Sequence, residues 1–214
     1  SRVAEIIGDS NHIYTVGALS LDGIKSFKPL DEDFFLKKYK IPHNIFLLIT
    51  FHPETISPEL NQSYAYEMRI ALEELSKDFF LIITMPNADT LGSLYRKELD
   101  VLKSKCSKQV LCIENFGKVN YFTAMHYAKL LIGNTSSGIL EAASFGKYVV
   151  NVGNRQKGRL QSSNTRNTIF KKEAILRAIK EQLKFSEFKG ENIYYQEGSV
   201  IKIIEVLKRF YASI

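Results

Sequence analysis

Short apolar runs alternate with helix-spaced segments along this sequence, and that alternation constrains the fold more than any other feature. The apolar runs have the length of buried strands and end at Gly, Pro, Asn or charged residues. They are Asn44–Phe51, Phe79–Met85, Gln109–Ile113, Leu130–Ile132 and Tyr148–Val152, with His12–Gly17 as a further short strand near the start. The helical segments are residues 31–40, Leu60–Ser76, Leu91–Lys103, Tyr121–Ala128, Lys171–Leu183 and Ser199–Tyr211. This order predicts an α/β fold with a doubly wound parallel sheet and right-handed crossovers.

The composition fits one domain over residues 1–214, because no low-complexity linker or internal repeat divides the chain. Apolar residues make up 45 % of it, enough for a sizeable core. No run approaches the ~20 continuous apolar residues of a membrane span, and residues 1–8 lack the features of a signal peptide. Cys106 and Cys112 fit neither a metal spacing nor a disulfide framework. The expected location is therefore a reducing cytoplasm, without membrane association.

The net charge of +6, from 29 basic and 23 acidic residues, could indicate nucleic-acid binding. The lysines are scattered over the predicted helices, however, and no basic stripe interleaved with aromatic residues is present. We therefore expect no nucleic-acid partner. A solvated surface with one local anion-binding loop accounts for the charge better.

That loop closes the stretch Leu130–Arg159, which reads as strand, polar turn, short helix, strand and basic loop. The apolar run stops at Gly133, and four residues of N-cap type follow it. Gly138 is predicted to open the helix, and Gly146 is the residue type expected just after a helix end. The second strand leads into a loop that contains Arg155 and further basic residues.

The residues at this turn favour a nucleotide site. A helix N-terminus attracts phosphate, Ser136 and Ser137 add hydroxyls there, and Gly138 permits close approach of a ligand. Glu141 lies on the same helix face as Ser137 and can accept hydrogen bonds from two ribose hydroxyls. Arg155 leaves the carboxyl end of the next strand, where open α/β sheets bind ligands. An ordinary capped helix would explain the serines alone, but it does not explain the whole combination.

The segment GNTSSGILEAASFG, followed by NVGNRQKGR, resembles the nucleotide-binding segment of the UDP-N-acetylglucosamine 2-epimerases, in particular their hydrolysing branch. The resemblance implies a GT-B fold, made of two Rossmann-like halves with the UDP-sugar between them. It covers nearly all of this chain but only the C-terminal half of the family. The family's N-terminal half carries the carboxylates that transfer protons, so we expect this chain alone to be inactive. The resemblance also implies that Ser136, Glu141 and Arg155 hold the nucleotide.

Two further motifs gain a role from the resemblance. His52, in the segment HPET after a predicted strand, matches the family's His-Pro near the diphosphate. There it could bind phosphate or assist the departure of UDP. The alternative is a loop histidine that bonds a backbone group. Asn87 and Asp89 match the family's Pro-Asn-x-Asp turn, although such turns also form for conformational reasons. Phe116–Phe122 could cover a flat base or belong to the core. No cofactor or metal is implied.

The implied reaction eliminates UDP from UDP-N-acetylglucosamine or a diacetamido analogue, and water then gives the 2-epimeric free sugar, as in sialic-acid-type biosynthesis. The full-length protein is expected to be a homo-oligomer. Two alternatives stay open, namely the donor domain of a GT-B glycosyltransferase and a UDP-binding module without catalysis.

Overall fold

A parallel six-stranded sheet organises the computed structural model, which describes residues 2–42, 45–86 and 91–211. The strands are β1 Phe46–Thr50, β2 Phe80–Thr84, β3 Val110–Ile113, β4 Leu130–Gly133, β5 Val149–Val152 and β6 Thr165–Thr168. The helices are α1 Arg2–Ile7, α2 Glu32–Tyr39, α3 Asn61–Leu75, α4 Gly92–Lys105, α5 Gly117–Tyr127, α6 Ser136–Leu140, α7 Lys172–Gln182 and α8 Ser199–Tyr211. All pairings are parallel and the strand order is 3-2-1-4-5-6, the order of Rossmann-like folds. The predicted fold class is confirmed.

Helices cover both faces of the sheet, which explains why the strands read as continuous apolar runs. One face packs under α3, α4 and α7, with side chains such as Ile49, Tyr95 and Ile175. The other packs under α2, α5 and the segment after α6, with side chains such as Leu48 and Met125. Because α3 and α4 build the sheet outward on one face and α5 returns the chain on the other, β4 lies beside β1.

The chain divides into two compact units. Residues 28–193 form the sheet unit. The other unit joins residues 2–27 to residues 194–211; in it, the Ala18 N–H donates to the Tyr194 carbonyl at 2.9 Å. The single domain expected for residues 1–214 stays a prediction. No described helix is both long enough and apolar enough to cross a membrane.

Several local predictions need correction. His12–Gly17 forms no strand: a turn is followed by irregular coil, and His12 has φ 60°. Strand β6 was not predicted, because an edge strand of sequence TRNT lacks an apolar run. Helix α6 begins at Ser136 rather than Gly138, and a 3₁₀ turn, Ala142–Phe145, continues it to Gly146, the left-handed cap that was predicted. Helix α5 begins four residues before the predicted Tyr121.

Candidate functional site

The carboxyl ends of β1 and β4 meet where the strand order reverses, the position at which open α/β sheets bind ligands. The two strands end side by side, since Thr50 is paired with Gly133. Gly133 has φ 141°, and a Cβ atom on it would overlap the carbonyl group of Thr50. The glycine at which the apolar run stops is therefore required by the close approach of the two strand ends.

Asn134, the next residue, connects the segments that follow β1, β4 and β5. Its side chain is fully buried, accepts from the His52 N–H at 2.7 Å and donates to the His52 carbonyl at 2.8 Å. Its own carbonyl accepts from the Gln156 amide at 2.8 Å and from an Arg155 guanidinium nitrogen at 3.3 Å. One residue thus fixes the backbone of His52 and holds the Arg155 side chain at the same edge of the sheet.

Glu54 holds the basic loop from the other side. Its carboxylate is buried, accepts from the N–H of Asn154, and accepts from the N–H of Arg155 at 3.2 Å. A side chain at Gly153, which has φ 81°, would overlap this carboxylate. The Glu54 backbone is fixed in turn by Asn61, whose amide makes hydrogen bonds of 2.8 Å to both its N–H and its carbonyl.

Helix α6 begins at this edge with Ser136, which is half-buried. Thr135 is the N-cap and accepts from the Ser137 N–H at 3.4 Å. The Ser137 hydroxyl bonds the hydroxyl of Tyr121, which also bonds Thr50. Burial raises the pKa of Tyr121, the two hydrogen bonds oppose that rise, and the nearby charge of Glu141 adds to it. Tyr121 therefore stays protonated at neutral pH.

Glu141 and Gly138 lie deeper than the sequence suggested. Glu141 is 6 % exposed and terminates α6, and its N–H donates to the Ser137 carbonyl at 3.0 Å. Gly138 is buried, and a Cβ atom there would come within 3.1 Å of a Val149 methyl group. The absence of a side chain at Gly138 thus permits tight packing of α6 on β5.

Arg155 is solvent-exposed as a residue. Partial desolvation lowers its pKa, the neighbouring Arg159 lowers it further, and Glu54 opposes both effects. A guanidinium remains charged at neutral pH even so. The edge therefore presents a fixed positive charge beside His52 and the serine turn.

The predicted Asn87 and Asp89 lie outside the described residues. The residue before them is anchored, because Arg96 donates to the Pro86 carbonyl at 2.6 and 2.9 Å. In the Phe116–Phe122 segment, Phe116 and Phe122 are both 6 % exposed and belong to the core, whereas Tyr121 reaches the switch point. Of the residues that the structure describes, no group of three or more His, Cys, Asp and Glu side chains could hold a metal ion.

Sequence reasoning placed His52, Ser136, Ser137, Gly138, Glu141 and Arg155 in one site, and the fold gathers their segments at one edge. It missed Glu54, Asn134 and Tyr121. Asn134 appeared only as one of several cap-type residues, and Glu54 only as part of HPET. Asn134 and Glu54 each form buried hydrogen bonds to residues far along the chain. The local sequence pattern does not predict such bonds.

Comparison with known proteins gives the family. The model of the family described as UDP-N-acetylglucosamine 2-epimerase matches residues 2–208. A GDP/UDP-N,N'-diacetylbacillosamine 2-epimerase (hydrolyzing) from Campylobacter jejuni is 32 % identical over 76 % of this chain and 42 % of its own length. A UDP-N,N'-diacetylbacillosamine 2-epimerase (hydrolyzing) from Legionella pneumophila is 29 % identical over 92 % of this chain and 51 % of its own length. The chain thus spans about half the length of the curated relatives it matches.

Solved structures agree on the fold. The UDP-GlcNAc 2-epimerase of Methanocaldococcus jannaschii, solved in complex with UDP-GlcNAc and UDP, superposes with a TM-score of 0.70 at 15 % identity. The alignment covers 94 % of this chain and 56 % of that one. With its Rossmann strand order and a family model that matches nearly its whole length, the chain belongs to the UDP-N-acetylglucosamine 2-epimerase family.

Proposed function

We propose that this chain is the nucleotide-binding half of a hydrolysing UDP-N-acetylglucosamine 2-epimerase, with UDP bound at the carboxyl edge of β1 and β4. The observation that carries the proposal is the Asn134 junction, which holds His52 and Arg155 beside the serine turn at the switch point. A preorganised cation and an imidazole at one edge suit a diphosphate.

Each residue has a proposed role. Arg155 pairs with the diphosphate, and the Ser136 hydroxyl and the first N–H groups of α6 donate to phosphate oxygens. Ser137 and Gly138 shape the turn, and Glu141 accepts hydrogen bonds from the ribose hydroxyls. His52 donates to a phosphate oxygen or to the departing UDP. Asn87 and Asp89, which follow β2, are proposed to line the cleft.

In the proposed reaction, a base removes the proton from C2 of the sugar and the C1–O bond to UDP breaks, which leaves a glycal. Water then adds its hydroxyl at C1 while C2 receives a proton on the opposite face, so the products are UDP and the 2-epimeric free sugar. Both hydrolysing relatives support this branch, and their names support a diacetamido sugar as an alternative substrate to UDP-N-acetylglucosamine. A pathway of sialic-acid type and a cytoplasmic location remain part of the proposal; the free cysteines, Cys106 and Cys112, suit a reducing compartment.

Turnover is proposed to need proton-transfer groups from the part of the relatives that this chain does not match. The purified 214-residue chain should therefore bind UDP but release no UDP from UDP-N-acetylglucosamine. In a protein that contains both halves, release of UDP without any sugar acceptor would separate this proposal from a glycosyltransferase, which needs an acceptor. Detectable turnover by the chain alone would show that the division of roles is wrong.

The decisive test compares uridine diphosphate with pyrophosphate by calorimetric titration of Glu141→Ala. A lost hydrogen bond of this kind costs about 1–3 kcal/mol, so UDP should bind roughly 5- to 150-fold more weakly while pyrophosphate is unaffected. Equal losses for both ligands would mean that Glu141 only supports the fold. Arg155→Ala is the matched variant, because it should weaken both ligands alike.

A further inference from the structure

A row of polar residues crosses one face of the sheet just below its carboxyl edge. Register pairs Thr84 with Thr50, Thr50 with Gly133, Gly133 with Asn151, and Asn151 with Asn167. On the same face, the residues two positions earlier in β1, β2, β4 and β5 are apolar and belong to the core, because side chains alternate along a strand. In β1, β2 and β5 the change from apolar to polar therefore occurs at one level, and Gly133 of β4 and Asn167 of β6 lie at the same level.

Hydrogen bonds join the members of this row that carry side chains. The hydroxyls of Thr50 and Thr84 lie 2.5 Å apart. Asn151 donates to Asn167 at 2.8 Å, and Asn167 donates to Gln161 at 2.7 Å. Asn151 is only 3 % exposed in a strand otherwise made of valine. Burying an amide there costs free energy that a fourth valine would not, so packing alone does not explain the residue.

A cavity of about 530 Å³ lies over the β5 and β6 end of this row. That volume is within the range of small-molecule pockets, about 300–1,000 Å³. Asn151 and Asn167 line it from the sheet, and the loop after β5 lines one side of it with Lys157, Arg159 and Leu160, so the cavity is open to solvent. Turns in which the Lys157 N–H donates to Asn154 and the Arg159 N–H to Gln156 hold this loop.

The cavity is positively charged. Within the described ranges, no carboxylate lies at ion-pair distance from Lys157 or Arg159. Arg159 is also close enough to Arg155 for the two like charges to disfavour each other. The carboxylate of Glu54, which holds the start of this loop, is buried and already accepts from two backbone N–H groups. An anion placed in the cavity would relieve this repulsion.

We propose that this cavity is a second binding pocket, which takes a small anion that also carries hydroxyl or acetamido groups, such as an N-acetylated sugar phosphate. Lys157 and Arg159 pair with the anionic group, and the amides of Gln161 and Asn167 bond the hydroxyl or acetamido groups. The pocket goes beyond the proposed nucleotide site and shares none of its side chains. Two sources offer the same chemistry, namely a free sugar phosphate and the sugar-phosphate end of a nucleotide sugar that extends along the polar row.

The test is a calorimetric titration of the whole chain with N-acetylglucosamine 1-phosphate, without and with saturating UDP. The double variant Lys157→Ala/Arg159→Ala should weaken probe binding at least tenfold. Asn167→Leu, which keeps the side-chain size and removes the amide, should weaken it several-fold. The matched control is Arg177→Ala/Lys180→Ala, which removes two exposed cations from α7 and should leave probe binding unchanged.

The two sources give different results. A separate small molecule predicts that the probe still binds when UDP is saturating. The sugar end of a nucleotide sugar predicts that the Lys157/Arg159 double variant weakens UDP-N-acetylglucosamine but not UDP. Either result supports the pocket. The pocket is overturned if probe binding is absent, or equal in the parent chain and the double variant under both conditions, and the double variant also binds UDP-N-acetylglucosamine as tightly as the parent chain does. If UDP itself fails to bind, the proposed nucleotide site is wrong, and the titration without UDP still decides the pocket.

Discussion

Replacing Asn134 by alanine should destabilise the sheet unit and weaken UDP binding together. The substitution removes two hydrogen bonds, at 2.7 and 2.8 Å, and leaves the N–H and the carbonyl of His52 without these partners. Each such loss costs about 1–3 kcal/mol in a buried position. Because His52 is only half-buried, water can replace part of what is lost, and we expect a total of about 2–4 kcal/mol.

The measurement is urea unfolding followed by far-ultraviolet circular dichroism, since the chain contains no tryptophan. Asn134→Asp separates the two bonds, because a carboxylate still accepts from the His52 N–H but repels its carbonyl. Its cost should be at least as large as that of one lost bond. Asn11→Ala, an exposed substitution outside the sheet unit, is the control and should change the free energy of unfolding by less than about 0.5 kcal/mol.

Asn134→Ala should also weaken UDP by roughly tenfold, which corresponds to about 1.4 kcal/mol, because the segment that carries His52 loses its anchor; Arg155 keeps its bond to the backbone carbonyl of residue 134. The reasoning is refuted if Asn134→Ala unfolds within 0.5 kcal/mol of the parent chain, or if it binds UDP as tightly as the parent does.

Three other predictions test separate features. Glu54→Ala should release the loop after β5, so that trypsin cleaves at Arg155, Lys157 or Arg159 several-fold faster than in the parent chain, whereas Glu59→Ala should leave the cleavage rate unchanged. Burial raises the pKa of Cys112 from 9.0 to about 11. In a Cys106→Ser variant, the rate at which iodoacetamide alkylates Cys112 should therefore still increase with pH at pH 10. A rate that stops increasing near pH 9 would contradict this. The apolar side of α8 is exposed in this chain, with Ile204, Leu207 and Phe210 each at least 44 % accessible. Light scattering should therefore show a molecular mass that increases with protein concentration, and the Leu207→Asp variant should have the mass of a monomer. A parent chain that is monomeric at every concentration would exclude self-association through α8.

The buried sheet could be predicted because each central strand is covered on both faces and is therefore apolar over most of its length. Edge strand β6 could not, since its side chains are partly exposed and its pairing with β5 decides its conformation. His12–Gly17 shows the converse, because β-branched and aromatic residues form no strand without a neighbour to pair with. Local propensity is a weak guide wherever tertiary pairing decides.

The site was predictable where one segment carries the chemistry and hidden where distant segments meet. Ser136 and Glu141 stand in a single motif. Asn134 forms its side-chain hydrogen bonds with a residue 82 positions away, and Glu54 accepts hydrogen bonds from residues 100 and 101 positions away. Neither pairing has a local signature, so geometry alone assigns them.

The placement of β1 between β2 and β4 has a consequence for how the chain is made. As synthesis proceeds, β2 can pair with β1 soon after α3 is complete, but the other side of β1 must wait for β4, 83 residues later at the pairing of Leu47 with Leu130. Until then Phe46–Thr50, an apolar strand, presents a row of unpaired N–H and carbonyl groups. A nascent chain that ends before β4 is therefore the species most prone to aggregate, and slow translation between β3 and β4 should lower the yield of folded protein more than slow translation after β5.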